Sequence, residues 1–566
     1  MPINTGTAIR ELEIGPFSGG INTYSDAAMI SDDEMVDCVN FDMALDGSLK
    51  SRPPWGTLFA TKLVGTSNQE CNQNVIGTGV FENSRFIIYN SNHIANAYAS
   101  YIYYVDGPNA GITAKIGDGV HTKAHRYGGF MYLVPDLGAF SAGKGLKYNL
   151  DTGAVTLIAT MPQGYASIVY KDRLWISGRK GVTDETASRL YFSELADFSL
   201  PWPGTNFFDI NPGDGDDVND LAVYQDNILV FKDNATYVLT YDTGPAQAVL
   251  QVINTTVGSM GRYCVAAYEN SIFILQYNKV YEMSNYDFTR ISVKIPFDFD
   301  KTVPSQAPYL VTGQDWKFPM WLRNVGDRLY VRFWNRVYIY HLRLRAWTRF
   351  DSLDPNVKYI GPVMELDNTS VLTKLGFETY VAGSSLLKNI DASGSGGTQI
   401  YNKILKMEDR YENVNIENGE VTPLIPSVDI KLMYLGKQYD IGVSHRFKRL
   451  MHWGVDCFTK RTVTGTLIPF TVTYDVTWEQ LESTFWHDLN TWTQPLIITP
   501  KVVQTVNATG AGDQTKFIRF PKSVRFRLLQ FQVDMETKGN LTDGPVFIYS
   551  VTAFVGGKQL VPKAVN

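Results

Sequence analysis

Between residues 79 and 334 the chain repeats one pattern six times: an aromatic residue, a short polar turn, then a strand of alternating apolar positions. The segments are GVFENSRFIIYN (79–90), HRYGGFMYLVPD (125–136), IVYKDRLWISGR (168–179), AVYQDNILVFKD (222–233), AAYENSIFILQY (266–277) and RNVGDRLYVRFW (323–334). The leading aromatics are Phe81, Tyr127, Tyr170, Tyr224 and Tyr268, with Val325 in the sixth place, at spacings of 46, 43, 54, 44 and 57 residues. Apolar residues at a period of two predict half-buried strands. The centres Asn83-Ser84, Lys171-Asp172, Gln225-Asp226, Glu269-Asn270 and Gly326-Asp327 suit tight hairpins, because Asn, Asp and Gly tolerate the backbone such turns need. Each interval has room for about four strands, the spacing of propeller blades. Second hairpins follow in NATYVLTYD (234–242), NKVYEMSNYD (278–287) and NRVYIYHLRLRAWTRFD (335–351), and FETYVAGSSLLKNID (377–391) marks a partial seventh unit. The pattern predicts an all-β chain built around an irregular six- or seven-bladed β-propeller.

Outside the repeat the pattern changes. ASGSGG (392–397) reads as a flexible linker. Long alternating strands follow from about residue 427, including SVDIKLMYLG, TGTLIPFTVTYDVTW, SVRFRLLQFQVDM and VFIYSVTAFVG, as in a C-terminal β-sandwich. Trp478, Leu481, Phe485 and Leu489 stand at helical spacing and read as packing. At the front, Ser31 with Glu34 three residues on forms a capping box opening a short helix, DDEMVDCVN, within an otherwise extended N-terminal arm. The expected organisation is an arm over 1–60, a propeller over 61–392, a linker over 393–426 and a sandwich over 427–566.

Composition agrees with a β-rich globular chain: 566 residues, 13% aromatic and 19% charged, with 47 Gly and 25 Pro. The formal charge of −6 argues against a free-standing nucleic-acid binder, which gains its affinity from a basic face. Cys38, Cys71, Cys264 and Cys457 lie far apart with no CxxC, so buried free thiols are expected. The start has no basic segment followed by an apolar core, and no apolar run reaches the roughly 18 residues of a membrane span. Synthesis in the cytoplasm with no membrane span is the expectation.

Several stretches imitate chemistry. GAFSAGKG (138–145) matches the spacing of a phosphate-binding loop, but Gly145 replaces the hydroxyl residue and a strand follows it. DINPGDGDDVNDL (209–221) gathers Asp209, Asp214, Asp216, Asp217 and Asp220, with the glycine and closing acid of a calcium loop out of place, so a solvated turn is expected. His121 and His125 stand four apart on a predicted strand, while His93, His341, His445, His452 and His487 are scattered. The basic stretches RLRAWTR (343–349) and HRFKRL (445–450) read as a subunit interface or a solvated face before a nucleic-acid patch. No catalytic, cofactor-binding or metal-ligating residue is assigned and no cofactor is expected. A glycosidase carboxylate pair, which assembles only in space, stays open.

The stretch FSGGINTYSDAAMISDDEMVDCVNFDMALDGSLKSRPPW (17–55) resembles the amino-terminal signature of a class of tailed-bacteriophage tail proteins. The matching residues are Phe17, Gly19, Gly20, Ile21 and Asn22, then Asn40, Phe41 and Asp42, then Gly47, Ser48, Leu49, Arg52 and Pro53. GDGDDVNDLAVYQDNILVFKDNATYVL and VGSMGRYCVAAYENSIFILQYNKVYEMS look like strands of the same proteins, and HRFKRLMHWGVD fits their carboxy-terminal pattern. The plan is similar to tail-nozzle or tail-hub proteins, and related propellers occur in tail tips. The resemblance implies a virion structural protein in the tail: a homo-oligomeric ring, sixfold for a nozzle or threefold for a tail tip. Its partners would be adaptor, tube or fibre proteins, with DNA passing transiently through the ring. The alternative reading is a glycan-binding or glycan-cleaving tail-tip protein, and a third is a monomeric cellular scaffold. The arm would either seal the propeller within one subunit or cross to a neighbour.

Overall fold

The computed structural model describes residues 9–52, 55–57, 74–82, 84–94, 97–105, 107–136, 144–178, 187–242, 244–277, 279–295, 320–333, 336–351, 357–360, 364–366, 379–389, 398–408, 429–439, 448–458, 463–470, 502–506, 516–520, 524–526, 528–538 and 546–556. They are almost wholly β, with one short 3-10 turn at Pro245–Gln247. The chain divides into two compact units: one of residues 53–340 and 351–426, the other of 1–52, 341–350 and 427–566.

The larger unit begins with five four-stranded antiparallel sheets, each a meander in sequence order. Their first strands are Asn74–Phe81, His121–Tyr127, Ser167–Tyr170, Val218–Tyr224 and Val265–Tyr268, and Met320–Val325 opens a sixth sheet. These first strands pack side by side in order. A last sheet sets Val357–Ile360 and Met364–Leu366 along Thr379–Asn389, followed by Thr398–Glu408. Met364–Leu366 packs against both Asn74–Phe81 and Met320–Val325, so the series returns on itself. The outer strand of that last sheet is Trp55–Thr57, which comes from before the first sheet. Successive sheets arranged this way are consistent with propeller blades, and apolar layers fill the spaces between them. Leu133 and Met131 meet Ile88 and Phe86 between the first and second sheets, and Trp175 meets Leu239 and Tyr241 between the third and fourth.

The repeated aromatic has a physical task. Tyr127 donates its hydroxyl to Asp172 Oδ1 (3.0 Å), Tyr170 to the carbonyl of Asp226, and Tyr224 to the carbonyl of Asn270 (3.1 Å). Each tyrosine at the end of a first strand thus fastens the hairpin turn of the following sheet. Lys171-Asp172 and Gln225-Asp226 have positive φ at both positions, as a type I′ turn requires.

In the smaller unit two sheets face each other. One orders Phe41–Met43, Leu49–Ser51, Phe547–Gly556, Lys448–Phe458 and Lys516–Phe520, with Ile9–Ile14 also along Phe547–Gly556. The other contains Ala346–Asp351, Asp37–Val39, Asp429–Tyr439, Leu528–Lys538, Val463–Phe470 and Val502–Val506. Trp453 and Phe531, both fully buried, meet between them at 5.1 Å between ring centroids. The N-terminal residues are therefore paired strands within this unit.

The short helix expected over DDEMVDCVN is absent: Glu34–Met35 and Asp37–Val39 are strands. One half of the capping-box geometry is present, since Ser31 N–H donates to Glu34 Oε2 (3.0 Å), but it closes a turn. The same carboxylate accepts Asn22 Nδ2 (2.9 Å), and pairing of Asp37–Val39 with Asp429–Tyr439 holds the next residues extended. The stretch with Trp478 and Leu489, the linker at 392–397 and Cys71 lie outside the described residues. Cys38, Cys264 and Cys457 are free and buried.

Candidate functional site

The first strands of the larger unit put charged side chains where the sheets converge. Lys123 comes from the second sheet, Asp220 from the fourth and Arg323 from the sixth, and the three sense one another's charge. Asp220 accepts the N–H groups of Leu221 (3.0 Å) and Val265 (3.2 Å). Lys123 Nζ donates to Ser167 O (3.3 Å), and Arg323 Nη1 to Val265 O (3.0 Å) with its guanidinium 4.8 Å over the Tyr263 ring. Two further links run between sheets that are not neighbours. Tyr263 donates its hydroxyl to Thr122 O (2.6 Å), and Arg262 pairs with Asp136 at 2.9 Å, both nearly buried. These contacts tie the second sheet to the residues that lead into the fifth.

Burial, reinforced by Arg323, brings the Lys123 ammonium down to about 8. Asp220 is pushed up by burial, against the pull of Arg323 and Lys123. His125 is held well below the usual imidazole range by burial and then by Lys123. His125 Nε2 lies 2.8 Å from Ser167 Oγ, and His121 Nδ1 lies 2.7 Å from Ser100 Oγ, so two Ser–His pairs occur that the sequence did not signal. Neither is built like a hydrolase dyad. All four residues are buried, the group beside His125 is a cation where an orienting acid is needed, and the other nitrogen of His121 faces Lys144 O (3.1 Å).

The acidic turn at 209–221 is spent on fastening. Asp214 pairs with Lys232, a wholly buried lysine that also donates to Ser188 Oγ (3.2 Å), Ile210 O (3.1 Å) and Asn211 O (3.2 Å). Asp216 accepts Asn234 N–H (3.0 Å), and Asp209 pairs with Arg189 (2.8 Å). Among the described residues no group of three or more His, Cys, Asp or Glu side chains is placed to hold a metal ion. The phosphate-loop look-alike at 138–145 lies mostly outside the described residues, and Gly145 begins a strand. In RLRAWTR, Arg349 pairs with Asp37 (2.9 Å) and Trp347 is buried. In HRFKRL, Leu450 is buried at the start of Lys448–Phe458, and 445–447 lie outside the described residues.

The residues of the amino-terminal signature converge in the smaller unit. Gly20 has φ +69°, and a Cβ there would come within 2.6 Å of the Trp347 amide nitrogen. Asn40 has φ +61°, its Oδ1 accepts Arg52 Nε (2.9 Å), and Arg52 N–H returns to Asn40 O (2.9 Å). Arg52 is 1% exposed and stands over Phe350. Phe17, Phe41 and Leu49 are core residues, and a side chain on Gly47 would run into Pro16. Ser48 and Asp46 close the turn between Phe41–Met43 and Leu49–Ser51 through Ser48 N–H and Oγ (2.9 and 2.7 Å).

No protein-family model matches the sequence, and no curated protein is similar to it. Solved structures similar to the chain include the WD40 domain of Pan2 from Neurospora crassa, at 7% identity and a TM-score of 0.34, covering 63% of this chain and 96% of that one. The β-propeller domain of the Trilobed protease from Pyrococcus furiosus matches at 11% identity and a TM-score of 0.31, over 58% of this chain and 96% of that one. The computationally designed Ika8 protein matches at 10% identity and a TM-score of 0.31, over 61% of this chain and 99% of that one. At these scores the likenesses carry nothing about activity.

Proposed function

We propose that this chain is a structural protein of a virus particle, a subunit that assembles into a ring in a phage tail, at the nozzle, hub or distal end. The observation that carries the reading is the fate of the signature residues: Gly20, Asn22, Asn40, Phe41, Gly47, Leu49 and Arg52 all fix strand pairing or fill the core. A signature made of architectural residues belongs to a protein whose product is a shape. The larger unit is read as a seven-bladed propeller, with Trp55–Thr57 closing the last blade. Its second sheet is tied to the start of its fifth by Arg262–Asp136 and Tyr263–Thr122 O, and these ties oppose passage of a duplex between the two sheets. DNA would instead follow the axis of the assembly, lined by several copies. A heterologous contact repeated by rotation closes such a ring, and six copies fit a nozzle.

The test is the mass of the purified protein by light scattering together with its copy number in disrupted particles. A fixed set of copies per particle, six for a nozzle or three for a tip, supports the reading. A monomer absent from every particle sinks it, and glycan binding by such a monomer would move the protein to the host-recognition class.

A further inference from the structure

The turn at 209–217 carries the acids of an ion-binding loop, and a lysine stands where an ion would. Lys232 ends the second strand of the fourth sheet, Asn227–Lys232, and its side chain is wholly buried. Its Nζ meets Ser188 Oγ (3.2 Å), Ile210 O (3.1 Å), Asn211 O (3.2 Å) and Asp214 Oδ1. An ammonium has three hydrogens, and four oxygens converge on this one. A surplus of acceptors suits a charged centre; an uncharged side chain there would leave buried lone pairs unpaired. The backbone bends to bring the oxygens together, with left-handed φ at Asn211, Gly213 and Gly215 (46°, 87° and 77°). Neighbouring carboxylates are engaged elsewhere: Asp216 accepts Asn234 N–H, Asp209 pairs with Arg189, and Asp233 accepts Asn219 Nδ2. Among the described residues, Asp214 is the carboxylate that faces the lysine.

We infer that these four oxygens form a cation cup and that Lys232 is its built-in ion, a tethered ammonium that fastens the third sheet to the fourth. Ser188 precedes the third-sheet strand Arg189–Phe192, and Ile210 and Asn211 follow Phe207–Asp209 of the same sheet, so the cup belongs to one sheet and the ion to the next. Three of the four separations, at 3.1–3.2 Å, are N–H···O lengths. They exceed the roughly 2.3–2.6 Å of calcium and the roughly 2.0–2.1 Å of magnesium to oxygen. The cup is therefore sized for an ammonium or a monovalent cation of similar radius, and the one facing carboxylate balances one charge. Because the ion is held covalently, the joint closes without a free ion and is indifferent to chelators. This inference stands apart from the proposed place of the protein in a particle.

The experiment is thermal unfolding of the full chain at constant ionic strength, with choline chloride replaced stepwise by ammonium or potassium chloride. The wild type sets the general salt response, and excess EDTA should leave its midpoint unchanged. Lys232→Ala empties the cup, and its midpoint in choline chloride should fall by about 5 °C or more. Ammonium or potassium should restore at least half of that loss, saturably and beyond the wild-type response. Adding Asp214→Asn to Lys232→Ala should abolish the rescue. Lys232→Met fills the space without a charge and should also be destabilised; a midpoint within error of wild type would mean that the lysine acts by packing, which overturns the cup. A salt response of Lys232→Ala equal to that of the wild type overturns it too, as does a fall of the wild-type midpoint in EDTA. Should Lys232→Ala not fold in choline chloride, its refolding yield decides: recovery in ammonium or potassium chloride supports the cup, and no recovery in either rejects it.

Discussion

Asn40 occupies a left-handed backbone position and uses its side chain to hold Arg52, a guanidinium buried to 1% exposure. Asparagine is among the few residues that adopt this backbone at small cost. Arg52→Ala removes a hydrogen-bonded, packed group and leaves Asn40 Oδ1 without its donor. Chemical denaturation should show the smaller unit losing about 2–3 kcal/mol. Gly20→Ala should cost at least as much, since its Cβ meets backbone and no side chain can swing aside. A denaturation midpoint within error of wild type for Gly20→Ala would mean that strand does not sit against Trp347. His121 makes a residue-scale prediction about pH. Burial lowers its folded value to about 4, from 6.5, against the opposing hydrogen bond to Lys144 O. As the pH falls the unfolded chain takes up the proton first, so the neutral imidazole's contribution is complete above about pH 6.5 and is lost towards pH 4. Between pH 7 and pH 5 the wild type should lose about 2 kcal/mol more stability than His121→Gln. Parallel pH profiles would assign the loss elsewhere.

At the scale of elements, the repeat of aromatic and turn explains itself as stitching. Removing one hydroxyl by Tyr224→Phe keeps the packing and deletes the bond to Asn270 O, and the expected loss is about 1 kcal/mol. Tyr127→Phe, whose bond to Asp172 is exposed, should lose less. The reverse order in urea unfolding would show that packing alone sets the joint. Closure of the last sheet is a second test. N–H groups of consecutive residues in a strand point to opposite sides, so one of Gly56 and Thr57 must face Thr398–Glu408. Proline at both positions therefore removes at least one ladder bond whichever faces inward. The double variant should unfold several degrees earlier and become sensitive to protease near residue 57, and the single variant at the inward-facing position should share the loss.

At the scale of the whole molecule, the smaller unit is assembled from chain segments 394 or more residues apart in sequence. Ile9–Ile14 runs along Phe547–Gly556, and Asp37–Val39 along Asp429–Tyr439. A chain ended after Pro426 loses the partner of Ile9–Ile14 and leaves Asp37–Val39 only its pairing with Ala346–Asp351 through Arg349 and Val39. Limited proteolysis of that truncated chain should remove residues 9–40 rapidly, while the first five sheets of the larger unit, complete within 74–290, resist. Protection of 9–40 in the truncated chain would mean the strands hold without their distant partners. Such long-range pairing carries a loop-closure cost and makes slow folding the expectation.

The sequence by itself determined the all-β class and the positions of the repeated strands and of their tight hairpins, because alternation and turn residues are local signals. It also carried the signature residues, though only as a resemblance. The failed helix at Asp32–Asn40 shows where local signals stop: Ser31 and Glu34 make the bond a capping box predicts, and pairing with strands from the other end of the chain overrides the helix. Tertiary structure alone decided that the arm is a set of strands paired within the smaller unit, that Trp55–Thr57 finishes the last sheet, and that Lys123, Asp220 and Arg323 sense one another's charge. Those three residues are spread over two hundred positions and come from alternate sheets. Nothing in their own neighbourhoods marks them, because charge proximity arises only when the sheets are brought round to meet.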